Sequence, residues 1–154
     1  QGLRACLVWL MLPAAERMPM SSPMLSLRFD SPRLCEALNE LDATALDGLP
    51  FGVMGFDSEG HVSCYNNHEA VASGFSPESV LGQHLFIELA PCLNNYLIAG
   101  RFEEAQLRGD SLDEVVPYVL TFRMRPTRAR LRLLARPGHA LRYVLTLRQQ
   151  GGEA

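Results

Sequence analysis

In the stretch HLFIELAPCLNN, residues 84–95, Cys92 directly follows a proline and precedes a run that reads as helix. A cysteine at such a corner is either a small buried hydrophobe or a nucleophile able to carry an acyl group. Upstream, Tyr65 and Glu69 stand four residues apart in YNNHE. If that segment is helical, their side chains share a face and can converge on one atom. Both then donate a hydrogen bond, provided that Glu69 is protonated, and burial favours a neutral carboxyl. Taken singly the residues have plainer readings: a core thiol, a strand-end aromatic and a solvated helix glutamate. A thiol enzyme would need a base, and His68 and His84 are the nearby histidines. Nothing in the sequence fixes either beside Cys92 or supplies an acid to orient it, and His68 reads as exposed. A haem-ligating His84 finds no support either.

The elements around these residues are set by spacing. SPRLCEALNELDATALDGL has Leu34, Leu38 and Leu41 at helical intervals, with Ser31 as N-cap and Pro32 in the first turn. PFGVMGFDSEGHVSCYNN reads as strand, turn, strand, with DSEG as the turn. HEAVASGFSPESVLGQHLF is punctuated by Gly74, Pro77 and Gly82 and reads as short helical turns. NNYLIAGRFEEAQLRGD is the longest helical segment, stopped at Gly109. Three strands come next, over Glu114–Met124, Arg128–Arg136 and Ala140–Arg148. This order predicts an α+β domain: a central five-stranded antiparallel sheet flanked by short helices and one longer helix, with the helices on one face and a pocket between.

Composition sets the bounds. The 154 residues suit one domain, 47% of them hydrophobic and 20% charged. A net charge of −3 offers no basic field for nucleic acid. Arg123, Arg125, Arg128, Arg130, Arg132 and Arg136 alternate with apolar residues and read as the solvated face of strands. The four cysteines, Cys6, Cys35, Cys64 and Cys92, form no metal-ligand spacing, so a reduced, cytoplasmic protein without a metal site is expected. Residues 1–30 differ in kind. Their apolar run ACLVWLML is far shorter than the about twenty residues a bilayer demands, and prolines interrupt the next stretch, PAAERMPMSSPM. They are expected to be a poorly ordered extension, ahead of a docking segment or a cleaved signal with only Arg4 as positive flank. The domain is then expected over residues 31–148, with a cap over about 31–48 and a tail over 149–154.

Three stretches together carry a resemblance: LDGLPFGVMGFDSEGHVSCYNNHE, VLGQHLFIELAPC and FRMRPTRARL. With these, the chain resembles the photoactive yellow protein family, small PAS domains, over roughly Leu41 to Arg148. The APC corner, after the Tyr and the Glu in the right order, is the most specific part. The resemblance implies a blue-light photoreceptor with p-coumaric acid (4-hydroxycinnamic acid) joined to Cys92 as a thioester. It implies that Tyr65 and Glu69 hydrogen-bond the phenolate oxygen, that Ser73 supports the tyrosine, and that Tyr118 and Met124 cover the ligand. Trans–cis isomerisation and proton transfer from Glu69 to the phenolate would then loosen the structure locally, most of all in the N-terminal segment.

The departures are specific. Phe75 stands where the family has an arginine closing the pocket, and Leu120 and Leu85 stand where it has aromatic residues. Altered absorption and recovery kinetics are expected from these, with attachment retained. The alternative is a PAS module that binds another ligand, or none, and works through protein contacts. The 154 residues show no kinase, cyclase or DNA-binding segment. A separate, unidentified signalling protein is therefore the expected partner, and a monomer or weak homodimer the expected state, with no membrane association.

Overall fold

The computed structural model describes residues 27–121 and 126–149. Helices α1 (Leu34–Glu40) and α2 (Ala43–Asp47) precede strands β1 (Gly52–Phe56) and β2 (Val62–Tyr65). Helices α3 (Asn67–Ser73) and α4 (Pro77–Val80) lead to a π turn over Leu85–Leu89 and a 3-10 turn over Pro91–Leu93. Helix α5 (Ala99–Arg108) and strands β3 (Leu112–Leu120), β4 (Thr127–Ala135) and β5 (Arg142–Arg148) complete the domain. The strands form one antiparallel sheet in the order β2-β1-β5-β4-β3. This is the α+β arrangement expected from the order of elements.

Helices cover both faces of the sheet, where the sequence suggested one. Successive strand residues point to opposite faces, and here both sets are apolar. Val53, Leu134 and Leu145 join Phe29, Leu34 and Leu38 in a core under α1 and α2. Their neighbours Met54, Leu133 and Val144 join a second core with Leu85, Leu93 and Phe102 under α3 to α5. In that second core Phe56 meets Phe86 and Phe102 edge-on, with ring centroids 5.4 and 5.0 Å apart.

Two local expectations change. Ser31 does not cap α1: its Oγ accepts from the Arg28 N–H, and the residue before the helix is Arg33, at a positive φ of 54°. Arg132 is not on a solvated face. It is buried, forks onto Asp113 and donates to the carbonyls of Phe29 and Ser31, tying the start of the described chain to β4. Arg128, Arg130 and Arg136 are exposed as expected, while Arg123 and Arg125 lie outside the described residues. Among the described residues no helix is long and apolar enough to cross a membrane, and no cluster of ligating side chains could hold a metal.

Candidate functional site

The corner that carries Cys92 is built by two irregular turns. The Ala90 N–H closes the π turn on the Leu85 carbonyl at 2.7 Å, and Pro91 starts the 3-10 turn with its φ already restricted. Cys92 comes next, half-buried and free, while Leu93 beside it is fully buried. Its carbonyl accepts from the Tyr118 hydroxyl of β3 and, at 3.3 Å, from Asn95 Nδ2. Asn95 Nδ2 also lies 2.5 Å from the Tyr118 oxygen. Tyr118 therefore anchors the backbone of the thiol-bearing turn, a use of its hydroxyl that its sequence position does not reveal.

Tyr65 and Glu69 do not share a helix. Tyr65 is the last residue of β2, and Asn66 turns the chain into α3. The i, i+4 pair on that helix is Glu69 and Ser73, and both are buried. The Tyr65 and Ser73 hydroxyls share a hydrogen bond of 2.5 Å, and Ser73 Oγ also accepts from the Phe75 N–H at 3.2 Å. Burial pushes the Tyr65 hydroxyl up to about 12; the Ser73 bond works against this, and the nearby charge of Glu69 adds to it. Tyr65 is thus a hydrogen-bond donor across the neutral range.

Asn66 fixes this junction and is a residue that sequence reasoning missed. Its Oδ1 accepts from Val53 N–H at 2.9 Å and Glu69 N–H at 3.1 Å. Its Nδ2 donates to the carbonyls of Leu46 and Phe51 at 2.9 and 3.0 Å. The available signal was an Asn immediately before a helical run, the usual N-cap.

Glu69 is not a solvated helix residue. It has no exposed side-chain surface and receives three hydrogen bonds from β5. Thr146 Oγ1 donates to Oε1 at 2.5 Å, and Arg148 forks onto the two oxygens at 2.9 and 2.8 Å. Gly52 of β1 makes room: a Cβ there would lie 2.1 Å from Glu69 Oε1 and 2.2 Å from Thr146 Oγ1. Thr146 and Arg148 were also missed, because nothing local links them to Glu69.

Tyr65, Leu85, Leu120, Phe75, Cys92 and Tyr118 all belong to one apolar cluster, the first three fully inside it and the others at its margin. Met124 lies outside the described residues. His68 is half-buried, not exposed, and its Nδ1 has no hydrogen-bond partner among the described residues. His84 turns its Nδ1 to the Phe86 N–H at 3.2 Å. The set comprises a free thiol, two paired hydroxyls, a buried carboxyl group and apolar walls. Chemically, this set of groups suits an aromatic acid tethered through sulfur.

No family model matches the chain. A photoactive yellow protein of Rhodothalassium salexigens is 30% identical over 110 residues, which is 71% of this chain and 87% of that protein. The chain belongs to the photoactive yellow protein family. A second photoactive yellow protein, of Halochromatium salexigens, is 31% identical over 105 residues, or 68% of this chain and 83% of that one. Among solved structures, the photoactive yellow protein domain of the sensor histidine kinase Ppr from Rhodospirillum centenum matches with a TM-score of 0.67 and 29% identity. The match covers 73% of this chain and 97% of that domain. A PAS domain of an HTR-like protein from Haloarcula marismortui has a TM-score of 0.50 at 16% identity, over 75% of this chain and 97% of that one, a likeness of fold alone. This member of the photoactive yellow protein family is thus a PAS domain, as the resemblance implied.

Proposed function

We propose that the chain is a blue-light photoreceptor whose chromophore is p-coumaric acid, held on Cys92 as a thioester. One observation carries the reading: the half-buried free thiol of Cys92 and the donor Tyr65 line the same apolar cluster, with Glu69 buried one helical turn from Ser73. Once bound, p-coumaric acid supplies blue-light absorption and a trans–cis isomerisation.

The chain's own residues do the rest. Cys92 Sγ attacks the carbonyl of an activated p-coumaroyl donor; the S–C bond forms and the donor's leaving group departs with the thiol proton. Tyr118 and Asn95 hold the Cys92 carbonyl, and so the turn, in place. Tyr65 donates its phenolic hydrogen to the ring oxygen, with Ser73 orienting it. Phe75 and Leu120 exclude water, and Phe75 does so without the hydrogen bonds an arginine would make. Glu69 gives the second hydrogen bond, keeps the ring oxygen anionic in the dark by holding the proton itself, and releases that proton to the ring oxygen after illumination. A charge left on Glu69 is costly to bury unless it is paired, and Arg148 at the end of β5 is placed to pair it, so the change of charge rearranges the structure there.

The photosensory domain spans residues 31–148, acts in the cytoplasm without catalysing a reaction, and passes its changed surface to a signalling partner. Intact mass after incubation with activated p-coumarate tests the attachment. The wild type is expected to gain one coumaroyl group and turn yellow, and Cys92→Ala to gain none. Equal gain by both proteins, or none by either, would refute it.

A further inference from the structure

Two groups of β5 hold the carboxyl of Glu69, and one of them can reach solvent. Thr146 is buried, whereas the Arg148 side chain keeps 14% of its surface exposed against 0% for Glu69. Among the described residues, the other elements packed around Glu69 bring no second cation: β1 supplies Gly52, and the ends of β2 and α3 supply the paired hydroxyls of Tyr65 and Ser73. Burial works against the charge on Arg148, but its hydrogen bonds with Glu69 and the carboxylate's charge outweigh this and raise its pKa above the ordinary value. A fork–fork contact of this kind is strong when the acid is ionised. Against a neutral carboxylic acid the guanidinium loses the charge of Glu69 and one acceptor oxygen, while its 3.4 Å contact with Thr146 Oγ1 does not depend on that charge. Arg148 then has less reason to stay, and it already touches water. Arg148 is also the last residue of β5, and its neighbour Gln149 is exposed and bonded to the Arg128 carbonyl.

We propose that Arg148 is the positioning counter-ion of Glu69 and reports its charge at the end of β5: engaged when Glu69 is a carboxylate, released when Glu69 carries a proton. The pairing stands on the geometry above; only the event that moves the proton rests on the photoreceptor reading. With Glu69 ionised the pair is closed. When Glu69 holds a proton beside a loaded ligand, Arg148 turns outward. When Glu69 gives that proton away, Arg148 closes on the new carboxylate. The end of β5, including its arginine, thereby becomes part of the surface that changes with the site's charge.

The test uses the ligand-free full chain and two readouts. Trypsin cuts after an arginine whose side chain it can engage. Glu69→Gln is expected to raise cleavage between Arg148 and Gln149 several-fold, with cleavage after Arg128 and Arg130 unchanged. Infrared spectra at neutral pH are expected to show a protonated carboxyl band in Arg148→Gln that the wild type, Arg148→Lys and the double variant Glu69→Gln/Arg148→Gln lack. Arg148→Lys retains the charge and guards against a variant that fails to fold. Unchanged cleavage after Arg148 overturns the proposal. So does a uniform rise at every arginine, which reports unfolding, or a carboxyl band that does not depend on Arg148. Failure of Cys92 to take an acyl group would instead sink the photoreceptor reading and leave these measurements standing.

Discussion

The hydroxyl oxygens of Tyr65, at the end of β2, and Ser73, at the end of α3, lie 2.5 Å apart. Ser73 Oγ is also the acceptor of the Phe75 N–H, so one small side chain ties the donor tyrosine to the segment that replaces the family's arginine. Ser73→Ala strands a buried phenolic hydroxyl and is expected to cost about 1–3 kcal/mol in urea denaturation. The Ser73 bond lowers the Tyr65 pKa, so its loss is expected to move tyrosinate formation, monitored by ultraviolet absorption, above the present value of about 12. Tyr65 is raised above its unfolded value near 10, so its contribution to stability is whole below pH 10 and is lost as pH rises toward about 12.

Gly52 and Thr146 face each other across β1 and β5, and the carboxyl of Glu69 fills the space that a side chain on Gly52 would take. Gly52→Ala is expected to destabilise the domain by about 1–3 kcal/mol through overpacking. It should also shift the visible absorption of the loaded protein, because the displaced group is Glu69. Denaturation midpoints and the absorption maximum check the two effects separately.

Asn66 satisfies two backbone N–H groups and two carbonyls from three segments. Asn66→Ala removes a helix cap and leaves buried partners unpaired, an expected loss of about 3 kcal/mol. Asn66→Asp keeps the acceptor for Val53 and Glu69 and should recover part of it. A thermal melt of the ligand-free variants reads both.

Burial pushes the thiols of Cys35 and Cys64 up to about 11. At pH 7 only about one part in ten thousand of such a thiol is thiolate, the reactive form. Replacing both by serine is therefore expected to leave the yield of coumaroyl adduct unchanged, as counted by intact mass. A yield that falls in proportion would place the attachment elsewhere.

Much of the framework was legible because its signals are local. The DSEG turn, the stop at Gly109 and the apolar runs of the last strands each depend on residues within one element. The family resemblance added Cys92, Tyr65 and Glu69. The contacts that span elements were not legible. Glu69 and Arg148 are 79 residues apart in sequence and meet because β5 lies beside β1. Arg132 reads as one more alternating arginine until Asp113 and the chain near Phe29 close over it. The helical reading of YNNHE failed for a local reason: Asn66 caps the helix, so Tyr65 ends a strand. Helices on both sheet faces were hidden because a strand buried on both sides loses its alternation.

The central step of the proposed function is the transfer of a proton from Glu69 to a ring oxygen held beside Tyr65. The light-minus-dark infrared difference spectrum of the reconstituted protein measures that directly. A loss of the protonated carboxyl band in the wild type, absent in Glu69→Gln, is the expected result. A light-induced change in visible absorption with no carboxyl signal, or the same carboxyl signal in Glu69→Gln, would contradict it.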